Sequence, residues 1–257
     1  MNTAYHKLDL SGRVIIVTGG GDGLGFAAAR LMALRGATLV IADVDTARGE
    51  KAVQSLGELG ANAAFIRTDV AVEEDAKAMV EFAVGRFGGL HGAFNNAGIS
   101  GPVGPLADLS VQEWRRTLDV NLHGVFLCLK YELAYLQAHG GGAIVNTSSS
   151  AGAVGVTQAA AYVSSKHGVV GLTRVAALDY AQQGIRVNAV LPGSFRSPLL
   201  ERVFENAEIR ARIEGGHPIG RVGEVDEIAE TVAWLLSDAA SFMTGACINH
   251  DGGYTTP

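Results

Sequence analysis

Tyr162 and Lys166 stand four residues apart in a stretch with a helical pattern, so their side chains share one helix face. A lysine ammonium beside a phenol favours the phenolate and lowers the phenol pKa from about 10. A tyrosine tuned in this way serves as a general base near neutral pH. Read alone, Tyr-x-x-x-Lys describes any solvated helix face. Ser149, 13 residues before Tyr162, changes its weight. It follows a short apolar run, 143–146, that reads as a strand, and ligands in open α/β sheets bind at the carboxyl ends of strands.

A second chemistry sits near the start. The run Thr18-Gly19-Gly20-Gly21-Asp22-Gly23-Leu24-Gly25 follows an apolar strand pattern and opens an Ala/Leu-rich helical one. Glycines there permit a tight turn and let backbone approach a pyrophosphate at a positive helix N-terminus. Asp43 closes the second strand pattern 18 residues past Gly25, where a carboxylate accepts hydrogen bonds from a ribose 2′-OH and repels a 2′-phosphate. Asp22 adds a second negative charge, and no nearby Arg or Lys is expected to offset either one. This favours NAD over NADP. A GxxxxGK[ST] phosphate loop fails, because Phe26 and Ala27 follow Gly25.

The elements that must position these groups are short apolar, β-branched runs alternating with helical patterns. Strands are expected near 14–17, 38–42, 63–67, 92–95, 143–146, 186–191 and 247–249. Helices are expected near 23–35, 46–59, 73–87, 111–138, 159–181 and 224–236. Ser110 and Glu113 form a capping box that starts the long 111–138 helix. Strands apolar on both faces and separated by helices imply an α/β fold, a doubly wound parallel sheet of about seven strands. No linker or repeat divides residues 1–257, which read as one domain. Residues 194–220 read as a lid.

Composition narrows the function classes. The formal net charge is −6, against a nucleic-acid partner, which needs a basic face. Two cysteines, Cys128 and Cys247, support neither a disulfide framework nor a zinc site, and the seven histidines form no ligand cluster, so no metal is expected. No apolar run approaches the ~18 residues of a membrane span, and a cytoplasmic setting is expected. No G-x-S-x-G elbow surrounds Ser148, Ser149 or Ser150, so a serine hydrolase is excluded.

Taken together, the chain resembles the short-chain dehydrogenase/reductase family, in its short single-domain branch. The resemblance rests on Thr18-Gly19-x-x-x-Gly23-x-Gly25, Asp69-Val70, Asn95-Asn96-Ala97-Gly98, Asn121, Ser149, Tyr162-x-x-x-Lys166 and Pro192-Gly193, in that order. It implies that Tyr162 is the acid/base, that Lys166 tunes it and holds the nicotinamide ribose, and that Ser149 polarises the substrate carbonyl. Asn121 would hold a water that links Lys166 to solvent. Asp69, with Val70, would meet the adenine, and Asn96, Ala97 and Gly98 the adenine ribose side. Pro192, Gly193 and Phe195 would flank the nicotinamide, and Ser197 stands where the family commonly has a Thr that bonds the carboxamide. Enoyl reductases of the family place Lys seven residues after Tyr; that position is Val169.

The expected pocket wall is apolar. It includes Val154, Val156, Phe195, Leu199, Leu200, Val203 and Phe204, with Gln158 as a polar handle. Such a wall suits a hydrophobic alcohol or ketone. The segments 217–221, 237–241 and 251–253 resemble bacterial dehydrogenases of alicyclic alcohols and diols. The expected activity is therefore an NAD-dependent secondary-alcohol dehydrogenase. An NADPH-dependent ketone or 3-oxoacyl reductase and a non-catalytic NAD-binding sensor are the competing readings. Only 18% of residues are charged. The apolar sets Cys128, Leu129, Leu133, Leu136 and Val169, Leu172, Val175, Leu178 are therefore expected to include a subunit interface, and the family is usually tetrameric.

Overall fold

The computed structural model describes residues 8–196, 200 and 204–256. Seven strands form one parallel sheet in the order β3-β2-β1-β4-β5-β6-β7. They are β1 (Val14–Thr18), β2 (Thr38–Asp43), β3 (Ala63–Arg67), β4 (Gly92–Asn95), β5 (Gly142–Thr147), β6 (Ile185–Pro192) and β7 (Cys247–His250). The helices between them are α1 (Gly23–Leu34), α2 (Thr46–Glu58), α3 (Glu73–Phe87), α4 (Val111–Leu118), α5 (Gly124–Ala138), α6 (Ala160–Tyr180), α7 (Ala207–Gly215) and α8 (Val225–Leu236).

The strands carry no polar face because both sides are covered. In β1, Ile15 and Val17 point into a core shared with α1, α2 and α8, whereas Val14 and Ile16 point into a second core with α3, α5 and α6. Each fully buried aliphatic side chain contributes about 1.5–3 kcal/mol from water exclusion, so a one-residue slip in either direction is strongly disfavoured. The order reverses between β1 and β4, which places a crevice at the carboxyl ends of those strands.

The expected 111–138 helix is not continuous. The capping box at Ser110 starts α4, with Ser110 Oγ accepting from the Glu113 N–H. A π turn over Asp119–His123 then interrupts it before α5. The reason is Asn121: its Oδ1 accepts from Ile99 N–H and its Nδ2 donates to Ile99 O, both at 2.8 Å. That two-point grip on the β4 loop fixes the side chain where an unbroken helix would not put it.

The expected interface residues divide. Cys128, Leu129, Leu133, Leu136 and Val169 are buried in the core of this chain and so are the core members of those sets. Leu172 packs partly on that core, whereas Val175 and Leu178 are exposed, as is Phe126. No helix among the described residues is long and apolar enough to cross a membrane. No cluster of His, Cys, Asp or Glu among them could hold a metal ion.

Candidate active site

The glycine-rich turn joins β1 to α1 in a backbone-only cradle. Gly19 has φ +61°, in the region that favours glycine, and its N–H donates to Ala42 O. At Gly25 a Cβ would stand 2.2 Å from Gly19 O, so no other residue fits that approach. Asp22 caps α1 through Gly23 N–H at 2.7 Å. Thr18 Oγ1 accepts from the N–H groups of Asn96 and Ala97, and Asn96 Nδ2 donates to Thr18 O, which fastens the turn to the end of β4.

At the far end, Asp43 accepts from Gly21 N–H and Asp45 N–H, both at 3.0 Å. Asp45, not Asp43, caps α2. The expectation that no cation lies near these carboxylates is corrected. The first turn of α2 brings Arg48 to 3.7 Å from Asp22 and 3.3 Å from Asp45. Proximity across the turn, rather than along the chain, makes the contact.

A cleft of about 1330 Å³ runs from Gly19, Asp22, Gly23, Asp43 and Arg48 past Asp69 and Val70 to Asn96, Ala97 and Gly98. A smaller cavity of about 190 Å³ adjoins it and shares Asn96, Gly98 and Ile99. Its other walls include Thr147, Ser148, Ser149, Tyr162, Lys166, Pro192 and Gly193. Leu24 is not in the lining; its side chain packs on the core.

Within the smaller cavity the three serines separate. Ser148 donates from Oγ to Lys166 O, Ser150 starts a short 3-10 turn, and Ser149 hydrogen-bonds the Tyr162 phenol. Lys166 is buried, and its Nζ donates to Thr147 O at 2.8 Å. That ammonium lies 5.7 Å from the Tyr162 ring centroid. Burial pushes Lys166 down to about 8. Burial also pushes the Tyr162 phenol above its ordinary range, while the Ser149 hydrogen bond works the other way. The expected lowering of the phenol by Lys166 is thus not what the protein alone provides, because burial sets the direction of the Tyr162 shift.

Pro192 ends β6, and Gly193 N–H donates to His250 O. Ser194 N–H donates to Nε2 of the buried His217, whose Nδ1 meets Ile213 O in α7. Sequence reasoning missed this latch, and it missed Thr147, whose contribution is a backbone carbonyl with no side-chain signature. The Phe195 ring packs over Gly223 and beside His250, and it is not among the residues that line this cavity. Val156 and Gln158 are exposed and do not line the cavity either. Ser197 and Leu199 lie outside the described residues, as does Val203.

A doubly wound parallel sheet with a glycine cradle and a Ser–Tyr–Lys cluster at its carboxyl edge defines a nicotinamide-dependent oxidoreductase. The chain belongs to the short-chain dehydrogenase/reductase family and acts on CH–OH groups. A family profile described as enoyl-(acyl carrier protein) reductase matches residues 19–255. The chain is 50% identical to 2,5-dichloro-2,5-cyclohexadiene-1,4-diol dehydrogenase of Sphingobium indicum, over 96% of this chain and 98% of that one. It is 48% identical to cyclohexanol dehydrogenase of an Acinetobacter species, over 95% of each. Among solved structures, levodione reductase superposes with a TM-score of 0.91 at 37% identity, over 95% of this chain and 98% of that one.

Proposed function

We propose that this chain oxidises a secondary alcohol on an alicyclic ring, with NAD as hydride acceptor. The observation that carries the reading is the Ser149–Tyr162 hydroxyl pair, backed by Lys166, in a cavity that opens into the dinucleotide cleft. The substrate hydroxyl sits between the Ser149 and Tyr162 oxygens. Tyr162 takes its proton, and Ser149 donates to the oxygen as it becomes a carbonyl. A bound oxidised nicotinamide would supply the acceptor for the carbinol hydride. Lys166, anchored on Thr147 O, holds the nicotinamide ribose and keeps a cation on the phenolate side. Asn121, gripping Ile99, sets the π turn beside Lys166 and is the residue through which a water relays the proton outward.

In the cleft, Gly19, Gly23 and Gly25 admit the pyrophosphate, and Asp69 and Val70 face the adenine. Asn96, Ala97 and Gly98 line the adenine ribose side, with Pro192 and Gly193 at the nicotinamide. Asp43 holds the ribose hydroxyls. NAD is favoured although Arg48 is close. Three carboxylates, Asp22, Asp43 and Asp45, face one guanidinium that is already shared between two of them. Arg48 is also what supports the second reading, an NADPH-dependent ketone reductase, because a freed guanidinium would welcome a 2′-phosphate.

The alicyclic preference is supported by the names of the relatives, which act on cyclohexanol and on a cyclohexadiene diol. The enoyl-reductase description of the family profile is not adopted for the activity, because Lys166 stands four residues after Tyr162 and Val169 stands seven after it. The whole chain works as one catalytic unit with residues 194–220 as its lid. The exposed Phe126, Val175 and Leu178 serve as a contact between copies in a homotetramer. A panel of cyclohexanols, cyclic diols, steroids and sugar alcohols, assayed with NAD and with NADP, tests the reading. It predicts the highest kcat/KM for a cyclic alcohol with NAD; a preference for NADP or for acyclic substrates contradicts it.

A further inference from the structure

Glu132 of α5 is wholly buried and lies outside the chemistry described above. Its Oε2 accepts from Asn95 Nδ2 at 2.9 Å. The same amide nitrogen donates to Asn146 Oδ1 at 3.1 Å, and Asn146 Nδ2 donates on to Thr173 Oγ1 at 3.0 Å. Both hydrogens of the Asn95 amide are therefore used. Two buried acceptors in this chain of contacts have no partner: Asn95 Oδ1 and Glu132 Oε1. They belong to the two side chains already joined by the Nδ2–Oε2 bond. A carboxylate there would leave both buried oxygens without a protein donor, at a cost of about 1–3 kcal/mol each or more for a charged group. A single proton on Oε1, donated to Asn95 Oδ1, satisfies both and closes a two-bond ring between acid and amide.

We propose that Glu132 is a neutral carboxylic acid that clamps α5 to β4 through a paired hydrogen bond with the Asn95 carboxamide, and so acts as a positioning residue for the cofactor cleft. Asn95 precedes Asn96, Ala97 and Gly98, which line the cleft. Asn146, its register partner on β5, precedes Thr147, whose carbonyl anchors Lys166. The clamp therefore holds the two strand ends that carry the site.

Among the described residues no cation acts on Glu132. Asn95 of β4, Asn146 of β5 and Thr173 of α6 are uncharged. Glu73 of α3 pairs with Lys130 and Tyr131 at the surface. Cys128, a turn earlier on α5, is the titratable neighbour, and burial followed by the charge of Glu132 pushes its thiol well above its ordinary value. Burial raises Glu132 from 4.5 to about 7, against the opposing hydrogen bond from Asn95. The folded protein then keeps a proton that the unfolded chain releases. The stability linked to that proton is complete below about pH 4.5 and is lost as pH rises through about 7.

The test needs neither substrate nor cofactor, so its outcome is independent of the proposed activity. Infrared difference spectroscopy of the folded protein at pH 6 and pH 9 is expected to show the carbonyl stretch of a protonated carboxyl at pH 6. The band should shift in D2O and be missing from E132Q. Glutamine reproduces the acid's donor and acceptor, so E132Q is expected to match the wild-type thermal midpoint at pH 5 and to exceed it by several degrees at pH 8. E132L is expected to lose stability at both. If E132Q does not fold, labelling the glutamate carboxyl carbons assigns the same band in the wild type. Absence of a protonated glutamate band at pH 6, or a midpoint difference between wild type and E132Q that does not change with pH, overturns the proposal.

Discussion

Lys166 Nζ donates to the main-chain carbonyl of Thr147 at 2.8 Å, at the end of the strand that leads into Ser149. One hydrogen bond thus couples the helix that carries Tyr162 to the loop that carries its hydroxyl partner. Among the described residues no carboxylate pairs with this ammonium. Replacing it with methionine keeps the length and removes the charge. K166M is expected to lower kcat by about 10²–10⁴, the usual weight of acid/base assistance, because the buried phenol then has no protein cation beside it. K166R keeps a charge but offers a planar fork where a compact donor fits one carbonyl, and is expected to remain impaired. Steady-state kinetics of both variants check this.

The pH dependence follows from the same pair. Tyr162 is raised by burial, and Lys166 is lowered to about 8. Alcohol oxidation needs the phenolate, so kcat/KM for oxidation is expected to rise with pH above 7. Ketone reduction needs the phenol and is expected to fall over the same range. The apparent values belong to the coupled pair rather than to either residue. The stability effect of Lys166 has a defined sign. Its folded value lies below 10.5, so the unfolded chain binds the extra proton between about 8 and 10.5, and this contribution makes the fold more stable as pH rises through that window. Oxidation that slows steadily from pH 7 to 9 in a protein that stays folded would contradict the account.

In the proposed reading, cofactor choice rests on Asp43 and its neighbours. D43A removes the carboxylate that repels a 2′-phosphate and leaves Arg48 nearby. The ratio of kcat/KM for NADP over NAD is expected to rise by at least about tenfold, equivalent to 1.4 kcal/mol. The double variant D43A/R48A is expected to lose most of that gain. Paired titrations with the two cofactors measure it.

The cradle makes a sharper demand. In G25A the new methyl would lie 2.2 Å from Gly19 O, a backbone atom that cannot swing aside. The turn must open, and dinucleotide affinity is expected to fall by well over tenfold while the sheet still folds. Fluorescence titration with NADH, beside a thermal melt, separates the two effects.

How much of this was legible in the sequence depends on what each feature is made of. The strands, and the helices outside 111–138 and 207–215, were read to within about two residues, because β-branched runs and amphipathic periods are side-chain patterns. The residues that the structure gathers at the cavity, Ser149, Tyr162 and Lys166, and the glycine turn beside them were legible by type and spacing. The π turn at Asn121 was not, since what holds it is a contact with the backbone of Ile99, distant in sequence, and not a local side-chain pattern. Thr147 was invisible because its carbonyl, and not its side chain, holds Lys166. Arg48 was missed because the distance that matters crosses the turn to Asp22. The seat of the Phe195 ring was not legible either, because it depends on the bare face of Gly223, distant in sequence.

The central claim is that Tyr162 exchanges the proton with the substrate oxygen. Y162F deletes one oxygen and leaves the ring against Lys166. The most direct measurement is single-turnover NADH formation from a cyclic secondary alcohol, with NADH binding measured on the same preparation. The account predicts that Y162F binds NADH within a few-fold of the wild type and forms product at least about 10²-fold more slowly. Near-normal turnover in Y162F would contradict it.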